Sequence, residues 1–277
     1  MSIHEYNPSS RLPRFRLLPA HTSNMALKNA TSKTQAAPRE ASPPAVWSWF
    51  DKIYCISLTT RADRREEAKR QFASVGLGER VEFHLVEKHP ANCEQGIYES
   101  HLQCMKKGVE ARARRILIFE DDVVFARFSP AKLQNTADFL ETTPDWKMLF
   151  LGCMVRYSRR TANPSVMRVG FRSLTHAYAV TREFALDILA NHPYRTSPYD
   201  DFLRDLNSPD MYACYPSCAF QSNAASDNDV YLPLDRFRRM AGGLRNLQKA
   251  DELYHRYKWP IILSHLLPAV ALVAYWL

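Results

Sequence analysis

Short apolar runs alternate with longer amphipathic stretches along the chain from Trp47 onward. KIYCISL (52–58) predicts a strand, and RADRREEAKRQFASVGL (61–77) after it predicts a helix. Asp63 with Glu66 three residues on reads as a capping box at the helix start, and Gly76 suits its end. RVEFHLV (80–86) predicts a strand and YESHLQCMKKGVEARAR (98–114) a helix. In RRILIFEDDVVF (114–125), Ile116 to Phe119 form the β-branched and aromatic run that a strand buried on both faces requires. PAKLQNTADFLETTP (130–144) predicts a helix opened by Pro130 and stopped before Pro144. KMLFLGC and HAYAVT predict strands, REFALDILANH a helix, and MYACYP a closing strand. Strands alternating with helices predict an α/β layered sheet. No internal repeat is visible.

The two ends of the chain differ from this middle. Residues 1–45 are rich in Ser, Pro, Thr, Asn and Ala without periodicity, which predicts a disordered leader. They contain no apolar core of a secretory signal, so none is expected. A folded unit is predicted over 46–235, a basic helical segment over 236–258, and an apolar helix over 259–277. The last of these is nearly long enough to span a bilayer, which takes ~20 residues. Trp259, Tyr275 and Trp276 suit a membrane interface, while Ser264, His265 and Pro268 favour a terminal helix docked on the fold. Both readings stand: membrane association through the C-terminus, or docking.

Composition narrows the function. With 277 residues, 46% of them hydrophobic, the chain can bury a sizeable core. Its net charge is +8, but residues 1–45 carry six Lys/Arg against two Glu, and 236–258 seven against two acids. The predicted folded unit is therefore close to neutral, which argues against a nucleic-acid partner. Neither GxGxxG nor GxxxxGK[ST] occurs, and the six cysteines form no CxxC pair or zinc pattern. Cys55 and Cys153 lie in apolar runs as buried thiols.

The chemistry centres on the turn that ends the buried strand. Glu120, Asp121 and Asp122 crowd three carboxylates into one place. Like charges so close repel, and burial raises their pKa values, so the cluster calls for solvent, a basic partner or a hard cation. Oxygen ligands suit Mg²⁺ or Mn²⁺, and side-chain alternation brings two of the three acids to one ion. The bland alternative is a solvated turn.

Further motifs stand in a fixed order around it: ISLTTRADRR, GIYESHL, LIFEDDVVF, THAYAVT, PYDDFL and FQSNAASDND. Over about residues 50–230 this series resembles glycosyltransferase family 25, the lipooligosaccharide and procollagen galactosyltransferase group. CEQGIYESH departs from the family's usual Gly-Glu-Ile-Gly-Cys lead-in but keeps Glu94, Gly96, Ser100 and His101. The resemblance implies a GT-A-like fold with a mixed, mostly parallel sheet flanked by helices. It implies a nucleotide-sugar donor of the UDP type, a glycan, lipid-linked or protein hydroxyl acceptor, and a divalent metal such as Mn²⁺. The sugar it suggests is galactose.

Roles follow for individual residues. Asp122 is the first choice for the metal, with Glu120 and Asp121 beside it. Ser57, Leu58 and Arg61 follow the first strand, where the base and ribose would lie. Arg61 and Arg64 are candidates for the phosphates, although Arg64 also opens a charged helix face. Asp63 is weighed as a ribose ligand against a helix cap, and His101 as a donor contact against a buried network. Asp200 holds the place of the family's Pro-x-Asp acid and is the candidate base of an inverting transfer. Asp201 is the alternative, and would otherwise cap the helix DFLRDLN. Gln221, Ser226 and Asp227 are candidate supporting groups. Two other functions remain open: a catalytically silent relative that binds a glycan or nucleotide, and a membrane-associated interaction protein. Donor hydrolysis discriminates the first, and removal of the apolar tail the second.

Overall fold

The computed structural model describes residues 43–222 and 242–276. The leader reading, apart from residues 43–45, lies outside the described residues, as do Ser226, Asp227 and residues 236–241.

The first described element is a four-residue helix, α1 (Pro43–Val46). Its successor Trp47 is fully buried and donates from Nε1 to the Val75 carbonyl at 2.8 Å. Strands β1 (Lys52–Leu58), β2 (Glu82–Val86) and β3 (Arg115–Glu120) alternate with α2 (Ala62–Ser74) and α3 (Cys93–Glu110). After β4 (Val123–Phe125) and α4 (Pro130–Glu141) come β5 (Met148–Phe150), β6 (Met154–Arg160), β7 (Val166–Ser173) and β8 (Ala177–Thr181). Helices α5 (Arg182–Asn191) and α6 (Tyr199–Leu206), strands β9 (Met211–Cys214) and β10 (Ala219–Gln221), and α7 (Leu244–Trp276) complete the order.

Among the described residues eight strands form one mixed sheet in the order β2-β1-β3-β8-β5-β9-β7-β6. Only β7 and β8 run against the others, so the sheet is mostly parallel in direction. The central strands are buried on both faces, and their side chains alternate accordingly. Ile116 and Ile118 of β3, Met148 and Phe150 of β5, and Tyr178 and Val180 of β8 pack with α3, α5 and α6. Leu117, Phe119, Leu149, Ala177 and Ala179 pack on the other side with α2, α4 and Trp47. Each fully buried Leu or Phe here contributes ~1.5–3 kcal/mol. Gly108 lets α3 lie against the sheet, since a Cβ there would collide with Ile116.

Three local readings are corrected. Helix α2 starts at Ala62 with Arg61 at its N-cap and no side-chain cap bond, so Asp63 with Glu66 is not a capping box. Asp63 instead sits in the first turn, where a carboxylate suits the helix dipole, and pairs with Arg61 at 2.9 Å. Helix α3 starts at Cys93, before the predicted Tyr98, because Asn92 caps it by accepting from the Gln95 amide. Asp201 does not cap α6: the helix begins at Tyr199 after Pro198, and Asp201 pairs with Arg204 at 2.6 Å.

Helix α7 has two halves. The first half docks through polar contacts. Asp251 accepts from the Val155 amide, Glu252 accepts from Arg127 and the Ser217 amide, and buried Gln248 donates to the Ala219 carbonyl. Non-helical angles at Tyr257 break the helix just before Pro260, which has no amide hydrogen to continue the ladder. Beyond the break Trp259, Tyr275 and Trp276 are 65%, 83% and 80% exposed. Among the described residues no helix is long and apolar enough to cross a membrane.

Candidate active site

The sheet topology brings the singled-out motifs to one edge. Parallel β1 and β3 end side by side, with Ile56 in register with Glu120. Strand β8 runs the opposite way, so its start, preceded by Thr175 and His176, lies at the same edge, and the Glu120 amide donates to the His176 carbonyl at 3.0 Å. Helix α6 delivers Asp200 in its first turn. The short ladder of β10 on β4 sets Gln221 opposite Val123, next to Asp122. Gly152 permits this closure, because a Cβ there would strike the Ala219 carbonyl. Ile56, Glu120, Asp122, Thr175, Asp200 and Gln221 line one cleft of ≈ 440 Å³, ample for a small organic ligand.

The three turn acids point to three different partners. Asp121 is buried and held from both sides: Ser57 Oγ donates to Oδ2 at 2.7 Å, and Arg64 reaches Oδ1 at 3.3 Å. Asp122 accepts from Gln221 Nε2 at 2.8 Å through Oδ2, while its Oδ1 is buried with no hydrogen-bond partner. Glu120 Oε1 lies 3.1 Å from Thr175 Oγ1, and its side chain is 27% open to the cleft. Burial raises the pKa of all three, and mutual repulsion adds to the rise for Glu120 and Asp122.

Asp200 completes the group. Its Oδ2 accepts from the Leu174 amide and its Oδ1 from Thr175 Oγ1, both at 2.9 Å. Burial first, then the charge of Glu120, push it up to about 6. Asp201, by contrast, is engaged with Arg204.

Behind this cluster lies an aromatic floor. His101 is 1% exposed, stacks on Tyr199 at 4.2 Å between ring centres, and meets the Tyr178 hydroxyl through Nδ1 at 3.1 Å. Its Nε2 is 3.6 Å from Glu120. Burial lowers its pKa to about 3, so the imidazole is neutral and serves as a wall to the carboxylates. Leu58 lines the cleft near the end of β1. Arg61 and Asp63 pair with each other at a smaller neighbouring hollow shared with Arg64, Asp121 and Asp122. Sequence reasoning overlooked Thr175, although it opens the THAYAVT motif and touches both Glu120 and Asp200.

Comparison with known proteins adds sequence relatives. The chain is 26% identical over 206 residues to the human "Inactive glycosyltransferase 25 family member 3", covering 63% of this chain and 34% of that protein. It is 25% identical over 213 residues to the Xenopus laevis "Procollagen galactosyltransferase 1-A", covering 63% and 33%. The chain is a sequence relative of glycosyltransferase family 25. It spans about a third of the length of these family 25 proteins. No protein-family model matches the chain. Among solved structures it resembles A197 from STIV at a TM-score of 0.43 and 13% identity, over 61% of this chain and 85% of that one. It also resembles a glycosyltransferase involved in glycosylation of the major capsid of PBCV-1, at 0.33 and 11%, over 58% and 81%. Likeness this slight leaves the fold to rest on the chain's own sheet order.

Proposed function

We propose that the chain is an inverting, metal-dependent glycosyltransferase that moves a sugar from a nucleotide-sugar donor to a hydroxyl acceptor. The observation that carries this reading is the meeting of Asp200 with the Glu120–Asp122 turn in one cleft. The family 25 relatives support glycosyl transfer, and the name of one of them, a procollagen galactosyltransferase, supports galactose and a protein acceptor.

Asp200 takes the role of base. As the acceptor oxygen bonds to the anomeric carbon, its proton passes to the Asp200 carboxylate. The bond from that carbon to the diphosphate oxygen breaks, and its electron pair leaves on the diphosphate. Hydrogen bonds to both oxygens fix the carboxylate, and each oxygen retains a lone pair to receive a proton. The raised pKa makes Asp200 a stronger base than an ordinary aspartate while leaving it ionised at neutral pH.

A divalent cation fits the acids beside it. Asp122 presents a buried carboxylate oxygen without a partner, and Glu120 is the second carboxylate facing the cleft. Asp121 is committed to Ser57 and Arg64. Among the described residues no group of three His, Cys, Asp or Glu could hold a metal. Two carboxylates completed by substrate phosphates is the usual arrangement for ions such as Mg²⁺ and Mn²⁺. Such an ion supplies Lewis acidity that neutralises the departing diphosphate. The exposed Trp259, Leu267, Tyr275 and Trp276 of α7, near Arg256 and Lys258 in the chain, belong to the same proposal as a membrane contact.

The second reading, a silent binding relative, draws on one observation: a matched human protein is named inactive. A thermal-shift screen of UDP-galactose and other nucleotide sugars, with and without Mn²⁺, tests donor binding. Mn²⁺-dependent stabilisation is expected; no stabilisation by any donor contradicts the enzyme and a nucleotide-binding silent relative alike, and leaves a silent glycan-binding relative.

A further inference from the structure

One hydroxyl stands between the two acids assigned to different tasks. Thr175 Oγ1 lies 2.9 Å from Asp200 Oδ1 and 3.1 Å from Glu120 Oε1. A threonine hydroxyl carries one hydrogen and donates to one carboxylate at a time. The neighbouring amide, of Leu174, donates to the other oxygen of Asp200 at 2.9 Å. Two consecutive residues thus grip both oxygens of one carboxylate.

The backbone at this corner is strained to make the grip. Leu174 has φ 79°, in the left-handed region that a branched side chain rarely enters. Such a residue costs of order 1–3 kcal/mol and persists only where its surroundings enforce it. Here Leu174 and Thr175 are both buried, the strand β8 fixes the chain immediately after them, and α6 carries Asp200 on a buried Tyr199. The Thr175 methyl restricts its χ1 rotation, so the hydroxyl is held in place.

We propose that Thr175 is a positioning residue: its hydroxyl sets the plane of the Asp200 carboxylate and couples that carboxylate to Glu120 on the acidic turn. The arrangement links the proton-accepting side of the cleft to the diphosphate side through one rigid contact. It deepens the glycosyltransferase reading and rests on Asp200 being the base.

The experiment compares Thr175→Val, Thr175→Ser and Asp200→Asn, singly and with Thr175→Val added to Asp200→Asn. Release of UDP from UDP-galactose in Mn²⁺, with water as the acceptor, gives kcat and KM, and each variant's melting temperature is recorded. Thr175→Val keeps the shape and removes the hydroxyl. It should lower kcat by about 10²-fold, the scale of a small misplacement of a reacting group, with KM little changed. Thr175→Ser should restore most of kcat, and Thr175→Val should cost nothing further once Asp200 is Asn. Normal turnover in Thr175→Val beside a collapsed Asp200→Asn overturns the inference and leaves the base intact. Normal turnover in Asp200→Asn removes the base reading itself. Independent, multiplying losses in the double variant overturn the positioning role. Should Thr175→Val unfold, Thr175→Ala gives the same kcat and KM comparison. Unfolding of both makes Thr175 a folding residue and overturns the proposal.

Discussion

Ser57 and Asp121 close a 2.7 Å hydrogen bond between the ends of two adjacent parallel strands, β1 and β3. The bond assigns two sequence candidates to each other: Ser57 holds the acidic turn, and Asp121 gives up one oxygen to the fold. Ser57→Ala would leave a buried carboxylate oxygen short of a donor, at a cost of ~1–3 kcal/mol. Urea unfolding should show that loss. An unchanged midpoint would mean that the bond contributes nothing to the turn.

Asp122 has the opposite character, with one buried oxygen still unpaired. Asp122→Ala should abolish the Mn²⁺-dependent part of UDP binding and leave the circular dichroism spectrum unchanged. Isothermal calorimetry that finds equal Mn²⁺-dependent affinity in the variant would take the cation away from this residue.

Asp200 gives a pH dependence. Its pKa is raised from the ordinary carboxylate value to about 6, so a base at this position works only above that pH. Turnover should climb as pH rises through about 6 and then level off. The same shift has a stability consequence. The folded protein holds this proton more tightly than the unfolded chain, so the stabilisation is full below the ordinary aspartate range and is lost as pH rises through about 6. Melting temperatures of wild type and Asp200→Asn, followed from pH 4 to 8, should therefore diverge in favour of the variant as pH rises. A constant difference across this range would show that Asp200 ionises normally.

The tail gives a structural test. The side chains of Trp259, Leu267, Tyr275 and Trp276 are exposed, whereas Asp251 and Glu252 anchor the first half of α7. Deleting residues 259–277 should leave the melting temperature unchanged and reduce cosedimentation with phosphatidylcholine–phosphatidylserine vesicles. A fall in melting temperature of several degrees, with vesicle binding retained, would favour the docked helix.

Strands β3, β5 and β8 are legible because a strand buried on both faces reads as a continuous apolar run. The acidic turn was legible for the same reason, as three charges directly following Phe119. Strands β6 and β7 were not. MVRYSRR and VMRVGFRS mix arginines with apolar residues, and the pairing of β6 with β7 shifts register between Met154 and Tyr157, which breaks the two-residue period. Chain order also hid what β8 does to the site. Its reversal brings Thr175 and Leu174 to the carboxyl end of β3, and a strand's direction is not written in its residues. Thr175 carries no charge, and only the fold sets its hydroxyl beside Glu120 and Asp200.

Turnover of a nucleotide sugar in this cleft is the activity proposed for the chain. The most direct measurement is UDP release from UDP-galactose and a panel of other UDP-sugars by the purified chain in Mn²⁺, with Asp200→Asn and Asp122→Ala alongside. Release from at least one donor is expected, dependent on Mn²⁺ and reduced ~10²–10⁴-fold by Asp200→Asn, the range of a general base. Mn²⁺-dependent donor binding without release from any of them, or release that neither substitution diminishes, would contradict the proposal.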